Sequence, residues 1–568
     1  MSKAGGKLIR PGGDTSDSRA SLAILAIAGV WFAWLQLNPP KTDVDASNGG
    51  EGASGAVASM APDPAGGAGP SAPSAGGAVP AIPNVDLAVP LCGATGTFST
   101  STGRLHGVVV EGATQPYEVT PLWRWLLQGA QGSWSPWGEE PAAVSLLGDA
   151  GSLGVGLGDG ASGSLPTPVG GYQAVRQSDD LLEVQATTAT GLQVTQTFTR
   201  ARDAQGVCSS SLAVVWANAG SEALPGVHVG IVDTLGPVGD VPGLAIRPTL
   251  GVDADVESLI DLSELDEAPV SARPGRIDFL GLSNTYFALL LVPQTPGGRG
   301  AFVADGAAGR GALWSSPDVL APGDAREATF SLYAGDKRRS SLGAVDDRLL
   351  AAVDLGFFSF FAVPLLAVLG WLHGVIGDWA LSIIALTFLV KAAFFRLTAS
   401  SMRSSQAMQE VQPELEKLRR EHADNPEELN RRTMALFQER GVNPLGGCLP
   451  MFAQMPVWIA LYTMLSTTVD LYHASFLYLR DLTVPDPYMV LPTVVTALML
   501  GQQRLNPPPP NMDASQAMML RWMPLMFGLF FYTLPSGLVL YIFVNTLLGI
   551  LQQATLKATI KPKPTQPA

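Results

Sequence analysis

The sequence predicts a polytopic α-helical membrane protein, with an N-terminal anchor and a five-helix core, that carries a large all-β domain outside the bilayer. Three observations predict it. Of 568 residues, 47% are hydrophobic and only 15% charged, which is too apolar for a typical soluble chain. The long apolar runs gather at the two ends, one near the N-terminus and several after residue 355, at lengths that approach a bilayer crossing. Between them lies an acidic stretch: residues 38–350 hold 33 Asp and Glu against 16 Lys and Arg, in a chain of net charge −14. An acidic domain does not suit a phosphate backbone, so no direct DNA binding is expected.

Residues 1–19 carry Lys3, Lys7, Arg10 and Arg19 ahead of an apolar run at 20–37. That run is just long enough for a first span, and the positive flank places the N-terminus in the cytoplasm. No small-x-small cleavage site follows it, so an uncleaved anchor is expected rather than a signal peptide. Residues 38–90 are dominated by Ala, Gly, Pro and Ser and read as a flexible linker, unable to bury enough apolar surface to offset its ordering entropy. Residues 91–340 read as the β domain. Short apolar runs at 181–186, 191–199, 211–216, 227–232, 286–292 and 328–333 are separated by Gly, Pro and Asp turns, a pattern whose default is two packed sheets. No nucleophile motif, phosphate loop or paired carboxylates stand out, so its acids read as a solvated surface. His106 and His228 read as ordinary residues rather than metal ligands. Three cysteines make no disulfide scaffold; Cys92 and Cys208 could pair if their segment lies outside the cytoplasm, and the sequence leaves that open. No cofactor or metal is expected.

The remaining elements are fixed by charge parity. An interfacial amphipathic helix is expected at 357–376, then spans at 377–396, 446–466, 488–503, 518–534 and 538–556. A cytoplasmic helical hairpin occupies 397–445, an outer loop 467–487, a cytoplasmic loop 504–517 and a cytoplasmic tail 557–568. The stretch 396–440 holds eight Lys and Arg, whereas 467–487 holds only Arg480, so the former lies inside and the latter outside. Reading 357–376 as a further span would put the basic stretch outside. A helix in the outer interface, with Trp371 and His373 at headgroup depth, satisfies the rule instead.

Lys391 is the one basic residue deep within these core spans. A charge at a helix centre costs about 2.5–3.5 kcal/mol on insertion scales, so it should face a polar cavity rather than lipid. Thr387 lies one turn earlier on the same face. Tyr541 and Asn545 repeat that spacing on the last span, Thr493 and Thr496 lie together on the fourth, and Gln454 adds an amide on the third. These side chains can line one hydrated groove, or can simply join helices to one another. In the hairpin, Met408, Val411, Leu415 and Leu418 recur at helical spacing. Asn425-Pro426-Glu427-Glu428 reads as a capped helix start, and Gly441 as its stop. Asn443, Pro444, Gly446, Gly447, Cys448 and Pro456 cluster where the cytoplasmic part meets the membrane and suit a fixed bend.

The runs GDWALSIIALTFLVKAAFFRLT, NPLGGCLPMFAQMP, DPYMVLP and LPSGLVLYIFVNTLLGILQQ, in that order, resemble the core of the YidC family of membrane protein insertases, within the Oxa/YidC/Alb superfamily. The outer domain resembles that family's periplasmic β-supersandwich more loosely, through NTYFALLLVP and YAGDK. The resemblance implies a non-enzymatic insertase and foldase of the bacterial inner membrane, with the β domain in the periplasm. It implies nascent membrane proteins as clients and membrane lipids as surroundings. It also implies work alone or beside the Sec translocon, with ribosome or signal-recognition machinery meeting the hairpin. Finally it implies a hydrophilic groove closed to the outside. The family usually carries Arg where this chain has Lys391, which keeps the charge but not the planar donor fork. Two other classes compete: a transporter or channel built around Lys391, which would show repeats or broken helices, and a carbohydrate-binding activity in the β domain.

Overall fold

The computed structural model describes residues 84–115, 137, 143–147, 152–157, 171–204, 206–234, 247–253, 255–258, 270–273, 275–295, 298–305, 309–316, 319–422, 425–441, 449–505 and 514–559. The expected first span and most of the linker lie outside these residues. The chain divides into two compact units, one rich in β-structure and one rich in helices.

The β unit is built on two nine-stranded sheets of antiparallel pairs. The first runs in the order Asp86–Ala88, Ala94–Ser99, Arg104–Thr114, Ser152–Leu157, Val227–Thr234, Gly309–Ser315, Arg299–Asp305 and Val270–Arg273, with Ala143–Leu147 beside the third of these. The second runs Asp255–Ser258, Arg247–Val252, Ile277–Ser283, Phe287–Pro293, Ala325–Asp336, Cys208–Asn218, Leu192–Arg202, Leu181–Thr187 and Gln173–Ser178. Leu192–Arg202 buries alternate residues, as a strand with one core face must. Its Phe198 meets Phe98 of the first sheet edge-on at 5.9 Å, and Trp314 and Phe330 make a second cross-sheet pair at 5.3 Å. Gly103 has φ +71, and a Cβ there would stand 1.9 Å from the Tyr172 ring; only glycine admits both the turn and the ring.

Alternation does not hold along every strand. Ile277–Ser283 and Phe287–Pro293 are buried at every position. The reason lies just beyond the expected end of the domain at 340. Helix α1 (Arg339–Val345) and a 3-10 turn (Asp347–Ala352) lay Leu342, Leu349 and Ala352 against Phe279, Ala288, Leu290 and Val292. The apolar runs FLGL and ALLLV thus have partners on both faces.

Cys92 and Cys208 are joined by a disulfide across 116 residues, the pairing that the sequence left open. Cys92 precedes Ala94–Ser99 of the first sheet and Cys208 opens Cys208–Asn218 of the second. The Cys92 N–H also donates to Ser210 Oγ at 2.8 Å. The fold brings together residues whose spacing carries no such signal.

The helical unit contains α2 (Ser359–Ile376), α3 (Trp379–Glu421), α4 (Pro426–Arg440), α5 (Leu449–Thr467), α6 (Val490–Leu505), α7 (Ala514–Phe531) and α8 (Ser536–Thr559). Gly377 ends α2 in the left-handed region at φ +79, and Asp378 caps α3 by accepting from the Leu381 N–H at 2.7 Å. His373 stacks on Trp379 across that junction, ring centroids 3.8 Å apart. At 43 residues, α3 is far longer than a bilayer needs, so the span and the first arm of the hairpin are one continuous helix. No glycine interrupts it, and Pro413 is accommodated within it. Asn425 caps α4 through the Glu428 N–H, and Gly441 ends it at φ +63, both as the residues there predict. Val411 and Leu415 pack with Leu436 and Phe437 between the arms, and Arg440 pairs with Glu414. Two arginines, Arg431 and Arg432, hold the exposed Glu428 carboxyl down at about 2.

Among the described residues, three helices are long and apolar enough to cross a membrane: Ser359–Ile376, Trp379–Glu421 and Ser536–Leu556. Their large apolar side chains remain open to the surroundings, with Phe360 and Trp371 on α2, Phe388, Leu389 and Phe395 on α3 and Leu551 on α8, as do Trp522, Met526 and Leu529 on the shorter apolar α7. Such a surface suits lipid and would aggregate in water.

The disulfide yields a prediction. Closing so long a loop is worth about 2–4 kcal/mol by the usual range for disulfides. Cys208→Ser in the full chain should lower the unfolding midpoint of the β unit by roughly 5–10 °C, followed by protease resistance on heating. An unchanged midpoint would show that the bond adds nothing to stability.

Candidate functional site

Lys391 lies about three turns into α3 and is half-buried. Its stem runs toward α8, where Gly549 leaves a gap. A Cβ on Gly549 would stand 3.7 Å from Lys391 Nζ and 3.6 Å from Gln502 Nε2 of α6. Three helices therefore bring one ammonium, one amide and one absent side chain to a single place. Among the described residues Lys391 has no hydrogen-bond or ion-pair partner. An ammonium carries three donors and no acceptor, and none of the three is taken up among the described residues. The side-chain N of Gln552 and the side-chain O of Gln553, one turn further along α8, are buried without a partner among the described residues.

The other residues singled out in the sequence sit as follows. Thr387 is buried, and its hydroxyl donates to the Ile383 carbonyl at 2.7 Å on its own helix. Thr496 donates to the Pro492 carbonyl and packs so tightly on Gly528 of α7 that a Cβ there would stand 2.5 Å from its oxygen. Thr493 shares a 2.9 Å hydrogen bond with the Tyr532 hydroxyl at one end of α6 and α7. Thr493 and Thr496 thus link α6 to α7. Asn545, half-buried, lies one turn from Gly549 on α8, and Tyr541, a turn earlier, is buried. Gln454 is half-buried on α5, which also contains Pro456. Asn443, Pro444, Gly446, Gly447 and Cys448 lie outside the described residues.

Sequence reasoning missed Gln502 and Gly549. The signal for Gly549 was present: 541, 545, 549 and 553 form one i, i+4 stripe on α8. Gln502 had none, because its neighbour is on another helix.

A second polar cluster closes the opposite end of this unit. In the loop between α5 and α6, Asp486 is buried and accepts from the N–H groups of Tyr488 (3.0 Å) and Leu491 (2.8 Å) and from the Tyr478 hydroxyl (2.9 Å). Asp481 is fully buried; one carboxylate oxygen accepts from the Thr483 N–H at 2.8 Å and hydroxyl at 2.7 Å. Its other oxygen lies 3.5 Å from His473 Nδ1, too far for a good hydrogen bond. Ser536, at the start of α8, donates its hydroxyl to the Asp481 and Val484 carbonyls, and its N–H to the latter at 2.8 Å. The Pro535-Ser536-Gly537 turn is thereby pinned to the loop. Burial pushes the Asp481 carboxyl above its ordinary range.

The fold and the site define a helical membrane protein with a β-sheet domain and a cation held between its helices. A family model described as "60Kd inner membrane protein" matches residues 371–563, and one described as "YidC periplasmic domain" matches 167–368. The chain belongs to the YidC family of inner membrane proteins. It is 39% identical over 298 residues to a "Membrane protein insertase YidC" of Anaeromyxobacter dehalogenans, covering 52% of this chain and 54% of that one. It is 44% identical over 236 residues to the protein of the same name from Marinobacter nauticus, 41% of each chain. It thus spans about half the length of these curated relatives in alignment. A solved structure titled as an active YidC insertase with its first transmembrane domain resolved covers 85% of this chain and 96% of its own, at 18% identity and a TM-score of 0.33.

The buried carboxylate gives a test of the loop. Because the folded state holds the Asp481 proton more tightly than the unfolded chain, its charge penalty is absent below the unfolded pKa, about 3.9. The penalty grows as pH rises through the folded value. Asp481→Asn keeps the acceptor for Thr483 without the charge and should match or exceed wild-type stability at pH 8. Asp481→Ala, which strands two donors, should lose about 1–3 kcal/mol. Thermal unfolding of both variants in detergent measures the difference; an Asn variant as weak as the Ala variant would show the charge to be needed.

Proposed function

We propose that the chain is a membrane protein insertase and foldase, working without catalysis, cofactor or metal. The observation that carries the reading is the unpartnered ammonium of Lys391 between α3, α6 and α8, in a chain whose relatives are named insertases. A polar segment of a nascent membrane protein cannot enter hydrocarbon cheaply. A hydrated groove at Lys391, lined further by Gln454, Tyr541 and Asn545, lowers that cost by accepting the segment part way. The client's apolar segment then partitions sideways into lipid across the open faces of α3 and α7.

The proposed topology has six spans with the N-terminus inside. The β domain lies in the periplasm, α2 along the outer interface, and the α3–α4 hairpin in the cytoplasm, following the basic residues of 396–440. The hairpin, with mixed rather than purely basic charge, is the proposed contact for the ribosome or signal-recognition machinery, and the Sec translocon is a proposed partner for larger clients. The polar loop that binds Asp481 and Asp486 supports closure on the outer side.

Charge at residue 391 should govern insertion of a client with an acidic leading segment. Lys391→Arg should insert it, Lys391→Leu should fold but insert it roughly tenfold less, and Lys391→Glu should fail. Reconstituted insertion at matched protein levels reads this directly. Equal activity of all three variants would leave the lysine a residue that reaches the headgroups and nothing more.

A further inference from the structure

Within the loop between α5 and α6, one tight turn presents a residue that the fold itself does not use. Phe476 and Leu479 exchange both backbone hydrogen bonds, at 2.9 Å each, so Leu477 and Tyr478 form the tip of a two-residue hairpin. Leu477 holds φ +53, a left-handed conformation that glycine and asparagine take readily and leucine does not. Interior packing would account for a leucine held that way. Leu477 is instead 85% exposed, whereas Leu479 on the far side of the turn is buried. A residue that goes against local preference and gains no contact inside points to something outside.

The tip is firmly built. Tyr478 donates its hydroxyl to Asp486 at 2.9 Å and meets the Tyr488 ring edge-on, centroids 5.7 Å apart, and both rings stay partly open. Residues 474–479 contain no Asp, Glu, Lys, Arg or His, so no charge opposes entry into apolar surroundings. Two residues after Tyr488 the chain enters α6, where Val490 and Val494 are open as well. An apolar point with tyrosines at its base, beside the start of an apolar helix, matches the headgroup boundary, where aromatic rings keep a polar tip wet and an apolar body dry. A protein partner would need roughly 800 Å² from this side, far more than one leucine and two partly covered rings offer.

We infer that Leu477, with the rings of Tyr478 and Tyr488 at its base, is a wedge that enters the outer lipid leaflet at headgroup depth and fixes the level of the α5–α6 loop in the membrane. The leaflet rests on the proposed topology; the wedge rests on the turn.

The test places an environment-sensitive fluorophore on Leu477→Cys in the full-length protein carrying Cys448→Ser. The protein sits in vesicles of phosphatidylethanolamine and phosphatidylglycerol. A lipid-borne spin label near the headgroup should quench the probe roughly threefold more strongly than iodide in the water does, as for other interfacial groups. The same probe on the exposed Glu222→Cys of the β unit should show the reverse. With the probe on the neighbouring Ser475→Cys, Leu477→Asn suits the left-handed backbone but lacks the apolar tip, and should raise iodide quenching roughly twofold; Leu477→Met should leave it unchanged. Equal iodide access at residues 477 and 222 would overturn the wedge. So would shielding that disappears as the protein is diluted in lipid, which would mean that a second copy covers the turn. An impermeant thiol reagent that reaches Glu222→Cys only from the cytoplasmic side would overturn the proposed topology, and with it the choice of leaflet, but not the depth of the turn.

Discussion

An ammonium inside an apolar helix bundle is tolerated only where water or a polar partner reaches it, and that constraint orders the helical unit. The charge of Lys391 would cost about 2.5–3.5 kcal/mol in hydrocarbon. No described residue offers it a carboxylate. Beside it lie an amide from α6 and the bare backbone of Gly549 from α8. The same helix α3 leaves Phe388, Leu389 and Phe395 uncovered. A helix that is apolar toward its surroundings and polar where it meets two neighbours is the inverse of a soluble amphipathic helix, and it serves the same end: each side chain meets the medium that suits it.

The two polar clusters of this unit are opposites in chemistry. In the loop between α5 and α6, the carboxylate of Asp486 meets three donors, and Ser536 satisfies two carbonyls. His473, Leu477 and Met489 hold positive φ there, a backbone cost that persists only where surrounding contacts enforce it. The matched contacts of Asp486 and Ser536 fix one shape, while one oxygen of Asp481 stays without a hydrogen bond among the described residues. The Lys391 cluster has donors to spare, and unspent donors are what a ligand can use.

Much of this was legible in the residues, and the parts that were not share a cause. The ends of α4 were readable because caps are local: Asn425 and Gly441 act on atoms within four residues. The β-structure was readable because alternation is local too. Lys391 was readable because a charge in an apolar run is conspicuous by itself. The Cys92–Cys208 bond, the second cover on Ile277–Ser283, and the Gln502–Gly549 pairing are contacts across the chain. Spacing says nothing about which strands or helices become neighbours. The hydroxyls of Thr387 and Thr496 mark a subtler gap. Their helical face was readable, but each donates to its own helix backbone, so the right face did not imply a free polar group.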